Sequence, residues 1–189
     1  MKNLIALYDA CVLYPAPLRD LLMHLAMTDL YQAKWTNEIH DEWMRNVLAN
    51  RPDLKRAQLE RTRNLMNMHV LDCLVDGYDH LIPSLKLPDL NDRHVLAATI
   101  HSAASIIVTY NLKDFPEKTL NKYGVQAQHP DHFLVQLIEL NPDTVCAALK
   151  RLRTSLKNPP TNTNQYLAIL KQQSLPKTVK KLESLSTLL

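Results

Sequence analysis

An α/β fold with a central parallel sheet flanked by helices, continued by a helical C-terminal extension, is what this 189-residue chain predicts. Three observations carry that reading. Ser105 to Thr109 (SIIVT) is an unbroken run rich in β-branched residues, the pattern of a strand buried on both faces of a parallel sheet. Strand-like and helix-like periodicities alternate over roughly the first 130 residues, as chains of β-α units do. Pro159-Pro160 and the polar segment TNTNQ then interrupt the chain before two more helical patterns.

The elements follow in order. Leu4 to Tyr8 is an apolar run ended by Asp9 and reads as the first strand. Pro15 and Pro17 introduce an apolar-periodic helix from Leu18 to Leu30. Lys34-Trp35 is a short second strand, and Thr36 is placed to cap a helix running through Glu42, Trp43 and Val47 to about Asn50. After Pro52, Leu54 to Met68 forms an amphipathic helix that turns Leu54, Leu59, Leu65 and Met66 toward the core. Asp89 and Asn91 begin a helix over Val95, Leu96, Ile100 and Ala104 that feeds the SIIVT strand. A short strand at 125–127 and helices at about 131–140, 142–157, 164–173 and 177–188 complete the chain. Residues 1–140 are expected to form the core domain and 141–189 a basic helical extension.

Composition excludes several chemistries. The chain has only 2 glycines, Gly77 and Gly124, so neither a glycine-rich dinucleotide turn nor a phosphate-cradling P-loop can be built. Phosphate chemistry would have to rest on side chains or metal ions. The net charge of +3 is unevenly spread: residues 1–140 hold 14 Lys+Arg against 17 Asp+Glu, residues 141–189 hold 8 against 2. That asymmetry points to carboxylate chemistry in the first part and an acidic partner or nucleic acid for the last. Three scattered cysteines, Cys11, Cys73 and Cys146, read as reduced buried thiols of a cytoplasmic protein. The stretch LIALY is too short for an export-signal core, and no apolar run approaches the ~18 residues of a membrane span.

Four acids occupy telling places. Asp9 ends the first strand, Glu42 sits on the helix after the second, Asp92 opens the helix feeding the buried strand, and Asp114 lies five residues beyond Thr109. Carboxylates gathered in one pocket repel one another unless a cation neutralises them. Mg²⁺ or Mn²⁺, with oxygen ligands, is the natural partner, and a pair of such ions can activate water and stabilise the leaving oxygen in phosphodiester cleavage.

Three segments carry a resemblance: LYDACVLYPAPLRDLL, then WTNEIHDEWMRNVL, then LPDLNDRHVLAATIHSAASIIVTYNLKDFP. Over roughly residues 3–130 they resemble the PIN-domain ribonucleases, most closely the VapC-like toxins of bacterial toxin–antitoxin modules. The resemblance implies a PIN-like fold and a Mg²⁺- or Mn²⁺-dependent endoribonuclease that leaves a 5′-phosphate and a 3′-hydroxyl. It implies a cognate antitoxin protein as partner, an RNA such as tRNA or rRNA as substrate, a homodimer, and no membrane. The family's four acids fall on Asp9, Glu42, Asp92 and Asp114, with Asp9, Asp92 and Asp114 as metal ligands and Thr109 and Asn111 supporting the site. This chain departs from many relatives at Cys11, where they carry Asn, and at Asn111, where they carry an acid.

Among the cations, Arg19 and Arg93 stand near the site acids in sequence, and Lys150, Arg151 and Arg153 share one helix that could track an RNA backbone. The same helix could equally meet an acidic antitoxin segment. Trp35 and Trp43 read as core or partner packing before base stacking. The histidine pairs 129/132 and 94/101 lack the further ligands of a zinc site. The alternative to a nuclease is a catalytically inactive PIN-like module that binds nucleic acid or protein through its basic C-terminal helices.

Overall fold

The computed structural model describes residues 4–189. Its strands are β1 (Ile5–Tyr8), β2 (Gln32–Lys34), β3 (Ile106–Val108) and β4 (Gln126–Gln128), all parallel, in the order β2-β1-β3-β4. The helices are α1 (Ala10–Leu13), α2 (Ala16–Ala26), α3 (Asn37–Asn50), α4 (Arg56–His69), α5 (Arg93–His101), α6 (Glu117–Leu120), α7 (Pro130–Leu140), α8 (Pro142–Ser155), α9 (Thr163–Gln172) and α10 (Pro176–Glu183). Short 3₁₀ turns cover Asp79–Ser84, Leu90–Asp92, Leu112–Asp114, Asn121–Tyr123 and Ser186–Leu188. Among the described residues, no helix is long and apolar enough to cross a membrane.

The chain forms two compact units, the first made of residues up to Tyr14 together with Tyr31–His129. It contains the sheet. The central strands β1 and β3 are buried on both faces, with Ala6, Leu7, Tyr8, Ile107 and Val108 wholly inaccessible, which is why their sequences show no polar alternation. Helix α5 packs on both of them. β2 lies slightly before the expected Lys34-Trp35 strand, and Trp35 instead bridges Leu74. Leu65 does not face the core but is 43% exposed. Leu59 and Met66, seven residues apart, stand almost two full turns apart on one face of α4; Leu65 falls about 100° round from that face. The two glycines sit where the backbone is left-handed, Gly77 at φ 77° and Gly124 at φ 68°, conformations that cost any side chain strain.

Helix α3, which carries Glu42, is fixed at both ends of its buried face. Thr36 caps it, its Oγ1 accepting from Ile39 N at 3.0 Å. Inside, Trp43 Nε1 donates to His40 Nδ1 at 2.9 Å, and Asn67 Oδ1 on α4 accepts from both Trp35 Nε1 (2.8 Å) and His40 Nε2 (2.9 Å). Removing that shared acceptor with Asn67→Ala strands two buried donors, and urea unfolding is expected to show a loss of about 2 kcal/mol.

The second unit joins Pro15–Leu30 to Pro130–Leu189. α2 packs on α8 and α9, α7 on α8 and α10, and α10 on α9. Polar caps set the helix starts. Asn141 Oδ1 accepts from Thr144 N at 3.0 Å to begin α8. In the TNTNQ segment Asn162 and Gln165 exchange a reciprocal pair of 2.9 Å bonds, so part of the expected linker is the capping box of α9. Asp131, 5% exposed in the first turn of α7, accepts from Lys177 N (3.0 Å) and Thr178 N (2.8 Å) and so caps α10 from another helix.

Candidate active site

Strand order decides where this fold can bind a ligand. From β1 the chain proceeds to β2 on one side and later to β3 on the other, so the connections part at the carboxyl ends of β1 and β3. Open parallel sheets bind at such switch points. The register Tyr8↔Val108 sets Asp9 directly beside Thr109, with Asp9 N donating to Val108 O at 3.1 Å.

Asp9 is 3% exposed. Its Oδ2 accepts from Thr109 Oγ1 at 2.6 Å and from Cys11 Sγ at 3.1 Å. Burial raises its proton affinity; the two donors pull it back, and Glu42 pushes it up again. Thr109 Oγ1 in turn accepts from Asn111 N at 2.9 Å, so Asn111 supports the site through its backbone. Cys11 supplies both a donor and an acceptor at this position. Burial and the adjacent Asp9 keep its thiol protonated, hence a donor, and its sulfur accepts from Tyr110 N at 3.2 Å.

Beside this pair opens a cavity of about 840 Å³ whose walls include Glu42, Asp92, Asp114, Asn111 and Arg93. Asp92, half-buried at the start of α5, has its pKa pushed up to about 7, first by burial and then by Asp9, Asp89, Asp114 and Glu42. That list of repelling neighbours shows that the structure brings the four acids separated in sequence into one electrostatic cluster. Among the described residues no three His, Cys, Asp or Glu side chains close into a ready-made cation cage.

The cavity also holds residues that the sequence reading passed over. Glu38 and Arg45 share the α3 face of Glu42, a spacing that helical geometry alone would have grouped. Asp89 adds another acid. His94, 6% exposed, lies among them: burial opposes its protonation, but Glu42, Glu38 and Asp9 outweigh that and raise its pKa. The remaining candidate cations lie elsewhere. Arg19 is a buried residue of α2, and burial lowers its pKa against the partial compensation of Asp20. Lys150 and Arg151 are exposed on α8, while half-buried Arg153 donates to Thr161 O at 3.2 Å. All four belong to the second unit.

Residues 130–184 match the VapC50 C-terminal domain family. Over 97 residues, 51% of this chain, it is 36% identical to a Mycobacterium tuberculosis (strain ATCC 25618 / H37Rv) protein described as "Putative ribonuclease VapC50". That stretch spans 57% of the relative's length. No solved structure matches the chain significantly. With a parallel sheet whose central strands are followed by Asp9 and Thr109, and residues 130–184 matching the VapC50 C-terminal domain, the chain is similar to the VapC50 protein over about half of its own length.

Proposed function

We propose that this protein is a divalent-cation-dependent endoribonuclease, the toxin of a toxin–antitoxin pair, that hydrolyses RNA phosphodiesters in the cytoplasm. The observation that carries the reading is Asp92, whose carboxyl is crowded by four other acids at the carboxyl end of a parallel sheet. A cluster of that kind costs stability by itself and gains it with a cation bound.

The donor set suits Mg²⁺ or Mn²⁺. It consists of hard carboxylate oxygens, and Mg²⁺ needs only one or two of them, its other ligands being waters and substrate phosphate. Such an ion does not require a closed cage of protein ligands. Asp9, Asp92 and Asp114 would hold it. When bound, it would neutralise the carboxylates and the scissile phosphate and lower the pKa of water. In hydrolysis the water oxygen forms the new bond to phosphorus and the bond to O3′ breaks, leaving a 5′-phosphate and a 3′-hydroxyl. Thr109 and Cys11 hold Asp9 in one orientation, and Arg93 and Arg45 at the cavity wall are placed to meet RNA phosphates. Lys150, Arg151 and Arg153 are proposed to track the RNA backbone farther along the chain. Arg19 is left out of that role by its burial. The partners this reading entails are the RNA, a cognate antitoxin and a second copy of the chain.

The purified protein is incubated with cellular RNA in EDTA and after Mg²⁺ or Mn²⁺ is restored, and the new ends are mapped. Cation-dependent cuts bearing 5′-phosphates are expected, together with growth arrest on expression that the neighbouring open reading frame suppresses. Cleavage that proceeds fully in EDTA, or no cleavage under any condition, sinks the proposal.

A further inference from the structure

The second unit holds a cavity of its own. It measures about 280 Å³ and lies among the start of α2, the end of α8, the turn that follows and α9. Helical spacing builds its walls: Ala16 and Asp20 stand four residues apart on α2, Leu152 and Leu156 four apart at the end of α8, and Tyr166 and Ile169 three apart on α9, so each helix presents one face. Pro159 and Thr161 line the remaining side. Their turn is tied down by Arg153, which donates to Thr161 O at 3.2 Å, and by a bridge between Lys157 and Pro160, so this wall is formed before a ligand enters.

Two polar groups interrupt the apolar lining. Tyr166 is 4% exposed, and its hydroxyl is buried with no hydrogen-bond partner among the described residues. Protein interiors leave few such groups unmatched, and one on the wall of a cavity is satisfied when a ligand fills it. Asp20 is the one charged residue among the described residues of the lining. Burial opposes its ionisation, while Arg19 and His24 favour it. Burial and then the charge of Asp20 raise the pKa of the Tyr166 phenol, which keeps its hydroxyl protonated and sets the two groups within each other's field.

We propose that this cavity binds a small organic cation, an apolar body about one ring in size that ends in a protonated amine. The body rests against Leu152, Leu156 and Ile169; the amine donates to the Asp20 carboxylate and to the Tyr166 hydroxyl oxygen. Charge selects this class. An ammonium group has three donors to share between the two acceptors, a neutral alcohol gains nothing from the carboxylate's charge, and an anion is repelled by it. The volume sets the size, since it falls at the small end of ligand pockets. All the lining residues belong to the second unit, whereas the acidic cavity belongs to the first, so the two sites are separate.

The test is isothermal titration calorimetry of the full chain with phenethylamine, 2-phenylethanol and phenylacetate, one carbon frame ending in a cation, a neutral hydroxyl and an anion. Phenethylamine is expected to bind one to one with a Kd of about 50–500 µM, within reach of a ligand of roughly nine heavy atoms. 2-Phenylethanol should bind about 10-fold more weakly, and phenylacetate should give no heat up to about 5 mM. Asp20→Asn should bring phenethylamine down to the level of 2-phenylethanol and leave 2-phenylethanol unchanged. Tyr166→Phe should weaken both about 3–5-fold without lowering the melting temperature, because the hydroxyl has no partner to lose. Leu156→Trp, which fills the cavity, should abolish binding of both; melting curves show which variants are folded, and Asp20→Asn and Tyr166→Phe carry the test by themselves. No heat with phenethylamine, equal binding of phenylacetate, or phenethylamine binding undiminished in Asp20→Asn overturns the proposal and leaves the nuclease reading intact.

Discussion

Asp92→Asn is expected to lower the rate of RNA cleavage by at least about 10³-fold, the scale on which charge stabilisation of a reacting centre is lost, while making the cation-free protein more stable. The two effects share one cause. The Asp92 carboxyl has its pKa pushed up to about 7 by burial and by Asp9, Asp89, Asp114 and Glu42. An acid whose folded pKa lies above its unfolded value of about 3.9 binds more protons in the folded state, so its contribution to stability falls as pH rises. Below about pH 4 the carboxyl is protonated in both states and asparagine is neutral by comparison. Between about pH 4 and 7 the wild type increasingly bears an ionised carboxylate in a crowded, half-buried place, and above that the penalty is complete. Discounted for solvent screening at a half-buried site, it is about 1–2 kcal/mol, or a melting temperature about 3–6 °C higher for Asp92→Asn at pH 8 in EDTA. Thermal melts at pH 4 and pH 8 check it. An equal difference at both pH values would show that the stabilisation does not come from the charge.

Asp131→Ala should be the most damaging single change in the second unit. Its buried carboxylate takes two backbone N–H groups, of Lys177 and Thr178, at the start of α10, and the Thr178 hydroxyl donates to the Asp131 carbonyl at 3.2 Å. Alanine leaves the buried Thr178 N–H and the part-buried Lys177 N–H without their carboxylate acceptor. The loss expected in urea unfolding is about 3 kcal/mol, larger than for a helix cap on its own helix because the same bonds also tie α10 to α7. Asp131→Asn retains one acceptor oxygen and should cost about half as much. RNA cleavage per folded molecule should be unchanged.

Asp131 also marks the edge of what a sequence discloses. Thr36 as a cap was legible because its partner, Ile39, lies three residues away. The cap from Asp131 reaches 46 residues ahead, and nothing local signals it. The same contrast runs through the site. Asp9 and Thr109 were legible as strand ends because a β-branched run and an abrupt acid are local patterns. That they are neighbours depends on the pairing of β1 with β3, set by which buried faces fit. Glu38 and Arg45 could have been gathered with Glu42 from helical periodicity. His94 could not be told from a packing histidine until the carboxylates on both its sides were in place. Cys11 stood out only as a departure from the family pattern, and the bond it makes to Asp9 is a fact of three dimensions.

Helix α2 is encoded ahead of three of the four strands, yet it belongs to the unit completed by the last sixty residues. Its Leu18, Leu21, Leu22 and Leu25 are wholly inaccessible in the finished protein, covered in part by α8 and α9. A message cut short after β4 would therefore yield a polypeptide with every strand and every site acid present but with a greasy helix left bare, a substrate for chaperones and proteases. The interleaving thus couples the two units: a partial gene product would expose that apolar face and be removed instead of persisting as a truncated form.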